Sequence, residues 1–156
     1  MAGFDMISDD DFKFLLLESC DAQKILEIGT GTGKSTCALA ANGSEVWTVD
    51  RNDIYEYYGM NNVHRYRMES EQFWNELNEY DFDLVFVDGD IGWGDCEEIL
   101  ARTKENYKII FHDYVGSEKG VRNINTFTAL IMPEYEFEIR SGGSHCGLME
   151  LNYEPI

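Results

Sequence analysis

A glycine-rich stretch at residues 27–40, EIGTGTGKSTCALA, carries two competing cofactor-binding signatures. Its tail, GKST, is typical of a P-loop, in which backbone amides surround phosphates and a lysine reaches the terminal ones. A P-loop also needs an opening glycine five positions before its last one, but the residue there is Ile28. The short loop disfavours a nucleotide hydrolase. That alternative stays open, because LVFVD at 84–88 resembles an apolar strand ending in a magnesium-binding acid.

The head of the same stretch favours a different cofactor loop. Gly29, Gly31 and Gly33 form G-x-G-x-G at a predicted turn from strand to helix, where glycines permit tight bends and close approach of a ligand. Asp50 ends the next predicted strand, and an acid at that point accepts hydrogen bonds from a ribose diol. This pair also suits NAD, but the G-x-G-x-G spacing and the acid Glu27 before the first glycine weigh against NAD.

The elements that would position these residues alternate along the chain. Short apolar runs separated by helical patterns predict parallel strands joined by crossover helices. Predicted strands cover residues 24–28, 45–49, 63–66, 82–87 and 108–111, and predicted helices cover 9–20, 34–41, 70–79, 95–104 and a segment from 119. Two further runs, 135–140 and 146–152, flank Ser-Gly-Gly-Ser and predict a terminal β-hairpin. We expect one domain over residues 1–156, with an N-terminal helix within 1–22 and a core at 24–152.

Composition argues against several classes of protein. The chain has 156 residues and a formal net charge of −18, from 30 acidic and 12 basic residues. Such a surface disfavours a nucleic-acid partner, which needs a basic face, and an anionic membrane partner. A well-solvated acidic surface is the main interpretation, and a high-salt habitat is the alternative. The four cysteines have no C-x-x-C spacing, residues 1–11 are small and acidic, and no apolar run is long enough to span a membrane. We therefore expect a cytoplasmic protein without a signal peptide.

Taken together, these segments resemble the class I S-adenosylmethionine-dependent methyltransferases. The resemblance runs from residue 24 to 152 and is carried by LEIGTGTGKST at 26–36, VWTVD at 46–50, FDLVFVDGD at 82–90, IIFHDY at 109–114 and GVRNINTF at 120–127. The chain is most similar to the branch of sugar, macrolide and cephalosporin O-methyltransferases. The resemblance implies an α/β, Rossmann-like three-layer sandwich whose mostly parallel seven-stranded sheet carries a C-terminal antiparallel hairpin strand.

The resemblance also implies S-adenosyl-L-methionine as cofactor. The glycines would line its methionine and ribose portions, Glu27 would hold the loop or meet the amino group, Asp50 would bind the ribose and Glu69-Ser70 the adenine amine. The residues that it assigns to cofactor binding are Glu27, Gly29, Thr30, Gly31, Gly33, Asp50, Arg51, Glu69, Ser70 and Asp88. For Asp50 the alternative is a solvated strand-end acid, and for Glu69-Ser70 it is a helix cap.

Catalytic residues are expected at the ends of the fourth and fifth strands. Asp88 and Asp113 would open onto one crevice, and their carboxylates suit Mg²⁺, with His112 or Asp90 completing or supporting the site. The alternative is that Asp88 only neighbours the cofactor's sulfonium. Relatives commonly read Asp-Gly-x-His after strand four, but this chain has Ile91 in place of that histidine. His112 is therefore the candidate base, and a structural histidine is an equally favoured interpretation.

Several aromatic and histidine residues are less informative. Trp93, flanked by glycines, is either a buried anchor, which we favour, or an aromatic platform at the pocket mouth. Tyr55, Tyr57 and Tyr58 would either cover the adenine or pack in the core. The remaining histidines, His64 and His145, have no supporting neighbours in the sequence, and we expect them to be structural or exposed.

The leading hypothesis is a methyltransferase that acts on a hydroxyl of a small molecule or sugar, with Mg²⁺ assistance as an option. The alternative is a non-catalytic cofactor-binding subunit of a larger assembly, and a P-loop hydrolase is a third interpretation. The expected partner is a small-molecule acceptor, without nucleic acid or membrane. The sequence leaves a nitrogen acceptor and a homo-oligomer open.

Overall fold

The computed structural model describes residues 7–52, 59–132 and 135–153. Five helices are formed within these residues: α1 (Asp9–Glu18), α2 (Lys34–Ala40), α3 (Ser70–Glu76), α4 (Trp93–Arg102) and α5 (Glu118–Ile131). The strands are β1 (Lys24–Ile28), β2 (Glu45–Asp50), β3 (Val63–Arg67), β4 (Phe82–Val87), β5 (Thr103–His112), β6 (Tyr135–Glu136), β7 (Ile139–Gly142) and β8 (Cys146–Tyr153). The alternation of strands and helices predicted from the apolar pattern is therefore confirmed.

All strands belong to one mixed sheet with the order β3-β2-β1-β4-β5-β8-β6. Strands β1 to β5 pair in parallel, and β8 is antiparallel to β5. Both β6 and β7 pair with β8, so they form one interrupted edge strand at the seventh position of the sheet. This confirms the predicted mostly parallel, seven-position sheet with an antiparallel C-terminal hairpin.

The sheet has helices on both faces, and the core is divided accordingly. On one face Ile25, Leu84 and Phe86 pack with residues of α1 and α2, whereas on the other Leu26 and Val85 pack with residues of α3, α4 and α5. Alternate residues of a strand point to opposite faces, so a strand that is apolar throughout fits this three-layer arrangement. The unbroken apolar run of β4 follows from its central position.

The register of the parallel strands aligns their carboxyl ends. Ile28 pairs with both Val49 and Val87, and Val87 in turn pairs with Phe111. The residues that follow these in the chain are Asp50, Gly29, Asp88 and His112. Four residues predicted to bind the cofactor or to take part in catalysis are thereby brought to one edge of the sheet, at the place where open α/β folds bind their ligands.

Helix α1 differs from its prediction in its cap and in its buried face. Ser8, rather than Asp9 or Asp10, is the cap, because its hydroxyl accepts a hydrogen bond from the Asp11 N–H. Of the predicted stripe of Phe12, Leu15 and Leu16, Leu15 is fully buried and Phe12 packs partly buried against the same core, whereas Leu16 is only partly buried. Leu15 lies beside an unexpected buried residue, Asp11. A buried carboxylate on an otherwise apolar face requires partners from elsewhere in the fold.

Helix α4 starts two residues before the predicted cap. Gly92 is the cap residue, and the Asp95 carboxylate accepts the Gly92 N–H at 2.8 Å from within the first turn. Helix α3 begins at Ser70, with Glu69 as its cap residue.

All four cysteines are free thiols, and Cys96 and Cys146 are buried. Among the described residues, no helix has the length and apolar character needed to cross a membrane.

Candidate functional site

The loop after β1 is in direct contact with the loop after β4. Gly29 has a φ of +101°, and a Cβ atom at this position would lie 2.5 Å from the backbone nitrogen of Gly89. The Gly89 N–H in turn donates to the carbonyl of Ile28 at 2.7 Å. Only glycine combines this left-handed backbone with so close an approach, so the first glycine of the motif is required by the packing of two loops.

Asp50 is held in place by the glycine loop. Its Oδ2 accepts the Gly31 N–H at 2.9 Å, and its Oδ1 accepts the Asn52 N–H at 2.9 Å. A carboxylate has about four acceptor positions, so each oxygen retains capacity for a further donor such as a hydroxyl. The acid at the tip of β2 is therefore oriented by the motif that the sequence analysis linked to it.

A cavity of about 860 Å³ opens in front of this edge. Five of the predicted cofactor-binding residues contribute to its lining: Gly29, Asp50, Arg51, Glu69 and Ser70. Other segments that line it are Met68, the loop from Gly89 to Trp93, and Lys119, Arg122 and Thr126 of α5. The cavity thus extends from the glycine loop past Asp50 to the start of α3, along residues that the sequence analysis assigned to the ribose and adenine of the cofactor.

The cavity rim carries charges of both signs. Arg51 lies 3.9 Å from Glu69, and Arg122 lies 3.0 Å from Asp90, in two exposed ion pairs. Trp93, the first residue of α4, lines the cavity with 50% of its surface exposed. The favoured interpretation of Trp93 as a buried anchor is therefore wrong, because the helix starts at this residue and leaves its ring at the pocket mouth.

Five other residues predicted to bind the cofactor do not line the cavity: Glu27, Thr30, Gly31, Gly33 and Asp88. Glu27 is fully buried and accepts hydrogen bonds from the hydroxyls of Ser35, Thr36 and Thr48 at 2.5–2.7 Å. Burial raises the pKa of Glu27 to about 7, although the three hydroxyls oppose this shift. Its contacts tie β1 to α2 and β2, so Glu27 holds the loop in place.

The GKST tail is also used within the fold. The Lys34 ammonium donates to the carbonyl of Ile7 at 2.9 Å and to Asp9 at 3.0 Å, and it therefore anchors α1. Ser35 and Thr36 donate to Glu27. In a P-loop the lysine and the hydroxyl would face the phosphates and their metal. The structure therefore does not support the P-loop interpretation.

The predicted catalytic residues form a compact charged cluster. His112 Nδ1 lies 3.1 Å from Asp88 Oδ1 and 3.3 Å from Asp113 Oδ2, without a well-aligned hydrogen bond to either. Asp113 has a φ of +55°, a conformation that aspartate tolerates better than most residues. Lys119 lies 3.2 Å from Asp88 and also contacts its backbone carbonyl. Asp88, His112 and Asp113 lie together as the sequence predicted, but none of them lines the cavity. Lys119 was not included in the prediction.

The charges of this cluster shift the pKa values of its members. Burial disfavours the charged form of His112, but Asp88, Asp113 and Asp11 outweigh it and raise the pKa of His112 to about 9. Burial would likewise raise the pKa of Asp88, yet His112 and Lys119 together hold it below its ordinary value. The imidazole is therefore protonated at neutral pH, which favours a structural imidazolium over a general base.

The cluster extends to Asp11, which the sequence analysis overlooked, and to His145, which it expected to be structural or exposed and whose side chain is half exposed. Asp11 of α1 is fully buried, and its Oδ2 lies 3.1 Å from both His112 Nε2 and His145 Nδ1. Its Oδ1 accepts the backbone N–H groups of Ser144 and His145 at 2.8 and 2.9 Å. No local pattern could have indicated this contact, because the partners are separated by most of the chain. Asp11 thereby connects α1 to the end of β5 and to the turn between β7 and β8.

The arrangement does not fit a magnesium ion shared by Asp88 and Asp113. The His112 ring lies within 3.3 Å of both carboxylates and so occupies the position between them. Lys119 adds a second cation at Asp88. Two positively charged groups already neutralise these acids, and a further cation would have to displace them.

Asn123 of α5 is a second residue that sequence reasoning overlooked. It is buried, its amide donates to the Gly89 carbonyl at 2.7 Å, and its oxygen accepts the Ile91 N–H at 3.0 Å. It therefore fixes the loop that forms one wall of the cavity. The available signal was a polar residue next to the apolar stripe of GVRNINTF.

His64, expected to be structural or exposed, stacks on Trp47 and contacts Glu45 at 2.7 Å. The tyrosines at 55, 57 and 58 lie outside the described residues.

Comparison with known proteins agrees with this architecture. No protein-family model matches the chain. The O-methyltransferase from Bacillus cereus in complex with SAH superposes with a TM-score of 0.73 at 22% identity, covering 94% of this chain and 82% of that one. The chain adopts the fold of the class I methyltransferases. The same fold is shared with an O-methyltransferase of tomaymycin synthesis from Streptomyces achromogenes, solved with SAM, at a TM-score of 0.70 and 18% identity over 96% of this chain and 82% of the other.

Two similar proteins are named for different acceptors. A tRNA (m1A58) methyltransferase from Aquifex aeolicus superposes with a TM-score of 0.65 at 15% identity, covering 99% of this chain and 74% of that one. In sequence, a protein-L-isoaspartate O-methyltransferase from Saccharophagus degradans is 32% identical over 77 residues, which is 44% of this chain and 34% of that protein. The match thus spans about a third of the curated relative's length. The fold alone does not decide the acceptor.

Proposed function

We propose that this chain is an S-adenosylmethionine-dependent methyltransferase whose cofactor binds in the cavity in front of β1, β2 and β3. The observation that carries the proposal is the alignment of Gly29 and Asp50 at one sheet edge, with the Asp50 carboxylate oriented by the Gly31 N–H at 2.9 Å. An acid at this position suits a ribose diol, and a glycine backbone suits close approach of the cofactor. Two solved proteins with the same fold were crystallised with SAH or SAM.

The remaining parts of the cavity suit the other portions of the cofactor. Glu69 and Ser70, at the start of α3, line the side of the cavity where the adenine would lie. Met68 and Ile91 supply apolar contacts on its walls. S-adenosylmethionine supplies a methyl group on a positively charged sulfur, and the task of the protein is to align that methyl group with the acceptor. In this proposal Asp50, Gly29 and the loop fixed by Asn123 perform the alignment.

For the acceptor, we propose a hydroxyl group of a small molecule. Similar solved structures from Bacillus cereus and Streptomyces achromogenes are O-methyltransferases, which supports oxygen as the accepting atom. The net charge of −18 weighs against a polyanionic acceptor such as tRNA. Trp93, half exposed at the cavity mouth, offers an aromatic surface for the ring of a sugar or of another cyclic acceptor.

Catalytic roles for Asp88, His112 and Asp113 stay predictions. His112 is protonated at neutral pH and lies among three carboxylates, so it is suited to donating a hydrogen bond rather than to accepting the acceptor's proton. Assistance by Mg²⁺ at Asp88 and Asp113 also stays a prediction, and it would require His112 and Lys119 to move. The proposal therefore depends on positioning and on no metal.

The test is calorimetric titration of the purified chain with S-adenosylmethionine, S-adenosylhomocysteine and ATP. We expect a Kd in the micromolar range for the first two ligands and a loss of at least about tenfold in the Asp50→Ala variant, from the missing ribose contacts. The Lys34→Ala variant is the control, since Lys34 contacts α1 and not the cavity. Binding of ATP alone, lost in Lys34→Ala, would overturn the proposal.

A non-catalytic cofactor-binding subunit is the second candidate. It is favoured by Ile91, a buried residue in the position where the family that the sequence resembles commonly has a histidine, and by the raised pKa of His112 among its carboxylate neighbours. Production of S-adenosylhomocysteine with a panel of hydroxylated acceptors distinguishes the two functions. Turnover by the isolated chain supports the enzyme. Cofactor binding without turnover on every acceptor of the panel supports the subunit.

A further inference from the structure

Three metal-ligating side chains from distant parts of the chain meet at one point outside the cavity lining. Asp11 comes from α1, His112 from the end of β5 and His145 from the turn between β7 and β8. One ligand atom from each lies within 4.8 Å of the others. Among the residues that the structure describes, no other group of three or more such side chains converges in this way. We propose that Asp11, His112 and His145 bind a divalent transition-metal ion of the Zn²⁺ type.

The geometry of the cluster is close to that of a metal site. Asp11 Oδ2 lies 3.1 Å from His112 Nε2 and 3.1 Å from His145 Nδ1. With metal–ligand bonds of about 2.0–2.1 Å, neighbouring ligand atoms in a tetrahedral zinc site are about 3.3 Å apart. Two edges of the ligand triangle are thus within a few tenths of an ångström of the required length. Insertion of the ion would require small side-chain shifts and release of the proton that His112 Nε2 carries in the metal-free protein.

Two of the three ligands are held in orientation by contacts behind them. The Oδ1 atom of Asp11 accepts the backbone N–H groups of Ser144 and His145, which leaves Oδ2 directed at the two rings. His112 has its other nitrogen, Nδ1, against the carboxylates of Asp88 and Asp113. A carboxylate behind a ligating imidazole is the usual support of a zinc-bound histidine, because it fixes the ring and its tautomer.

The ligand set selects the class of ion. Two imidazole nitrogens and one carboxylate oxygen suit Zn²⁺ and neighbouring transition metals, whereas Mg²⁺ prefers oxygen ligands and water. His145 has a side chain that is 51% exposed, so the site is open to solvent on one side. Three protein ligands with one open position are typical of zinc sites that keep a bound water. This site is separate from the pair Asp88 and Asp113, which here act as supports of His112.

The competing explanation is a cluster held by hydrogen bonds alone, with a charged imidazole between carboxylates. Both explanations predict that removal of Asp11 destabilises the protein, so stability of that variant does not separate them. The metal affinity of a His145 variant separates the two explanations, because the exposed His145 ring contributes little to the hydrogen-bonded core. The proposal does not depend on methyl transfer and can be tested without a cofactor or an acceptor.

The experiment uses the full chain, stripped with a chelator and titrated calorimetrically with ZnCl₂ and, in parallel, with MgCl₂. We expect one Zn²⁺ per chain with a Kd below about 10 µM, no measurable Mg²⁺ binding, and a higher melting temperature in the presence of Zn²⁺. Replacement of Zn²⁺ by Co²⁺ should give the visible absorption of a four-coordinate nitrogen and oxygen site. Zn²⁺ binding weaker than this limit, or an absorption of free aqueous Co²⁺, would overturn the proposal.

The matched variants are His145→Ala and His64→Ala. Both histidines are partly exposed, at 51% and 43% of their side chains, and each contacts one carboxylate, but His64 lies in β3 with Glu45 as its partner. We expect His145→Ala to lose at least about tenfold in Zn²⁺ affinity and His64→Ala to retain it. Equal loss in both, or none in His145→Ala, would contradict the assignment. Unchanged S-adenosylmethionine binding in His145→Ala keeps this result distinct from the proposed function.

Discussion

The two halves of the carboxyl edge of the sheet are built differently. On the side of β1 and β2, the key contact joins Gly31 to Asp50, which are 19 residues apart, and the edge opens into a cavity of about 860 Å³. On the side of β5 and β8, His112 contacts Asp11 across 101 residues and Asp11 contacts His145 across 134, and the space between them is filled with paired charges.

The half with the cavity is suited to binding a ligand, whereas the other half holds distant parts of the chain together. The first half has half-exposed polar groups with unused acceptor capacity, as expected of a surface that binds a ligand. In the second half, carboxylates and cations satisfy one another, and the resulting network joins three elements of the chain. A variant in the first half should therefore change ligand affinity, whereas one in the second should change stability or metal binding.

The largest effect is expected from Gly29→Ala, which would break the contact between the two loops. The added Cβ would lie 2.5 Å from the Gly89 nitrogen, in a backbone conformation that alanine disfavours. We expect a loss on the order of 4 kcal/mol in the free energy of unfolding and no measurable cofactor binding. Urea unfolding and calorimetric titration measure the two.

The control for this variant is Gly43→Ala. Gly43 has a similar φ of +90°, but nothing lies within 4 Å of its would-be Cβ. Its cost should be about 1 kcal/mol, from the backbone conformation alone. Equal losses of unfolding free energy in the two variants would mean that the contact between the loops contributes nothing to stability. The account of the β1 and β2 side of the edge would then be wrong.

The next effect is expected from Asp11→Asn, in the presence of a chelator. The amide cannot replace a buried charge that faces two imidazoles and two backbone N–H groups. We expect a loss of about 3 kcal/mol in the free energy of unfolding, with cofactor affinity unchanged. A drop in cofactor affinity at retained stability would contradict the division between the two halves. Asp10→Asn, at an exposed neighbouring position, should cost less than about 0.5 kcal/mol.

A smaller effect is expected in the pH dependence of stability. The pKa of Glu27 is raised from 4.5 to about 7 in the folded protein. Because the folded state holds the proton more tightly than the unfolded state, this group favours folding at pH 5 and loses that contribution as the pH rises through 7. Glu27→Gln should therefore reduce the loss of stability between pH 5 and pH 8 by on the order of 2 kcal/mol.

The measurement is urea unfolding of both proteins at pH 5, 6, 7 and 8. Parallel curves for the wild type and Glu27→Gln would show that Glu27 titrates at its ordinary value in the folded protein. A difference that grows between pH 5 and 7 and then levels off is the expected result.

The smallest effect is expected from Lys34→Ala. This lysine donates to the Ile7 carbonyl and to the exposed Asp9 carboxylate and lies away from the cavity, so loss of both contacts should cost about 1 kcal/mol. Cofactor affinity should change less than about twofold. A large loss of cofactor affinity with intact stability would mean that the GKST segment binds the ligand. The assignment of Lys34 to the attachment of α1 would then be wrong.

The first half of the edge was predictable because its signals are local. The glycine motif, the acid at Asp50 and the strand β4 depend on short-range pattern, and the strand register follows from parallel pairing. Even so, Glu27 was expected either to hold the loop or to meet the cofactor's amino group, and its buried contacts favour the first role. Thr30, Gly31 and Gly33 were expected at the ligand but do not line the cavity. The sequence identified the correct segment but not which of its atoms face outward, since that depends on which hydroxyls reach Glu27.

The second half was predictable only in part. Asp88, His112 and Asp113 follow apolar runs and were correctly grouped, but Asp11 has the appearance of an ordinary acid in the first turn of a helix. Its burial depends on a turn more than 130 residues later, at Ser144 and His145. Trp93 was misjudged for a similar reason: the capping interaction of Asp95 with Gly92 starts α4 earlier than expected and leaves the ring exposed.

The position of β8 has a consequence for synthesis on the ribosome. This strand lies between β5 and the strands β6 and β7 that precede it, and the turn leading into it supplies the partners of Asp11. While the chain is being made, α1 emerges early with a carboxylate that has no place to dock, and β6 and β7 emerge without a strand to pair with. The nascent protein would therefore remain open at this edge until β8 has emerged. Truncation or stalling within β8 would leave an uncovered sheet edge for chaperones or proteases to recognise.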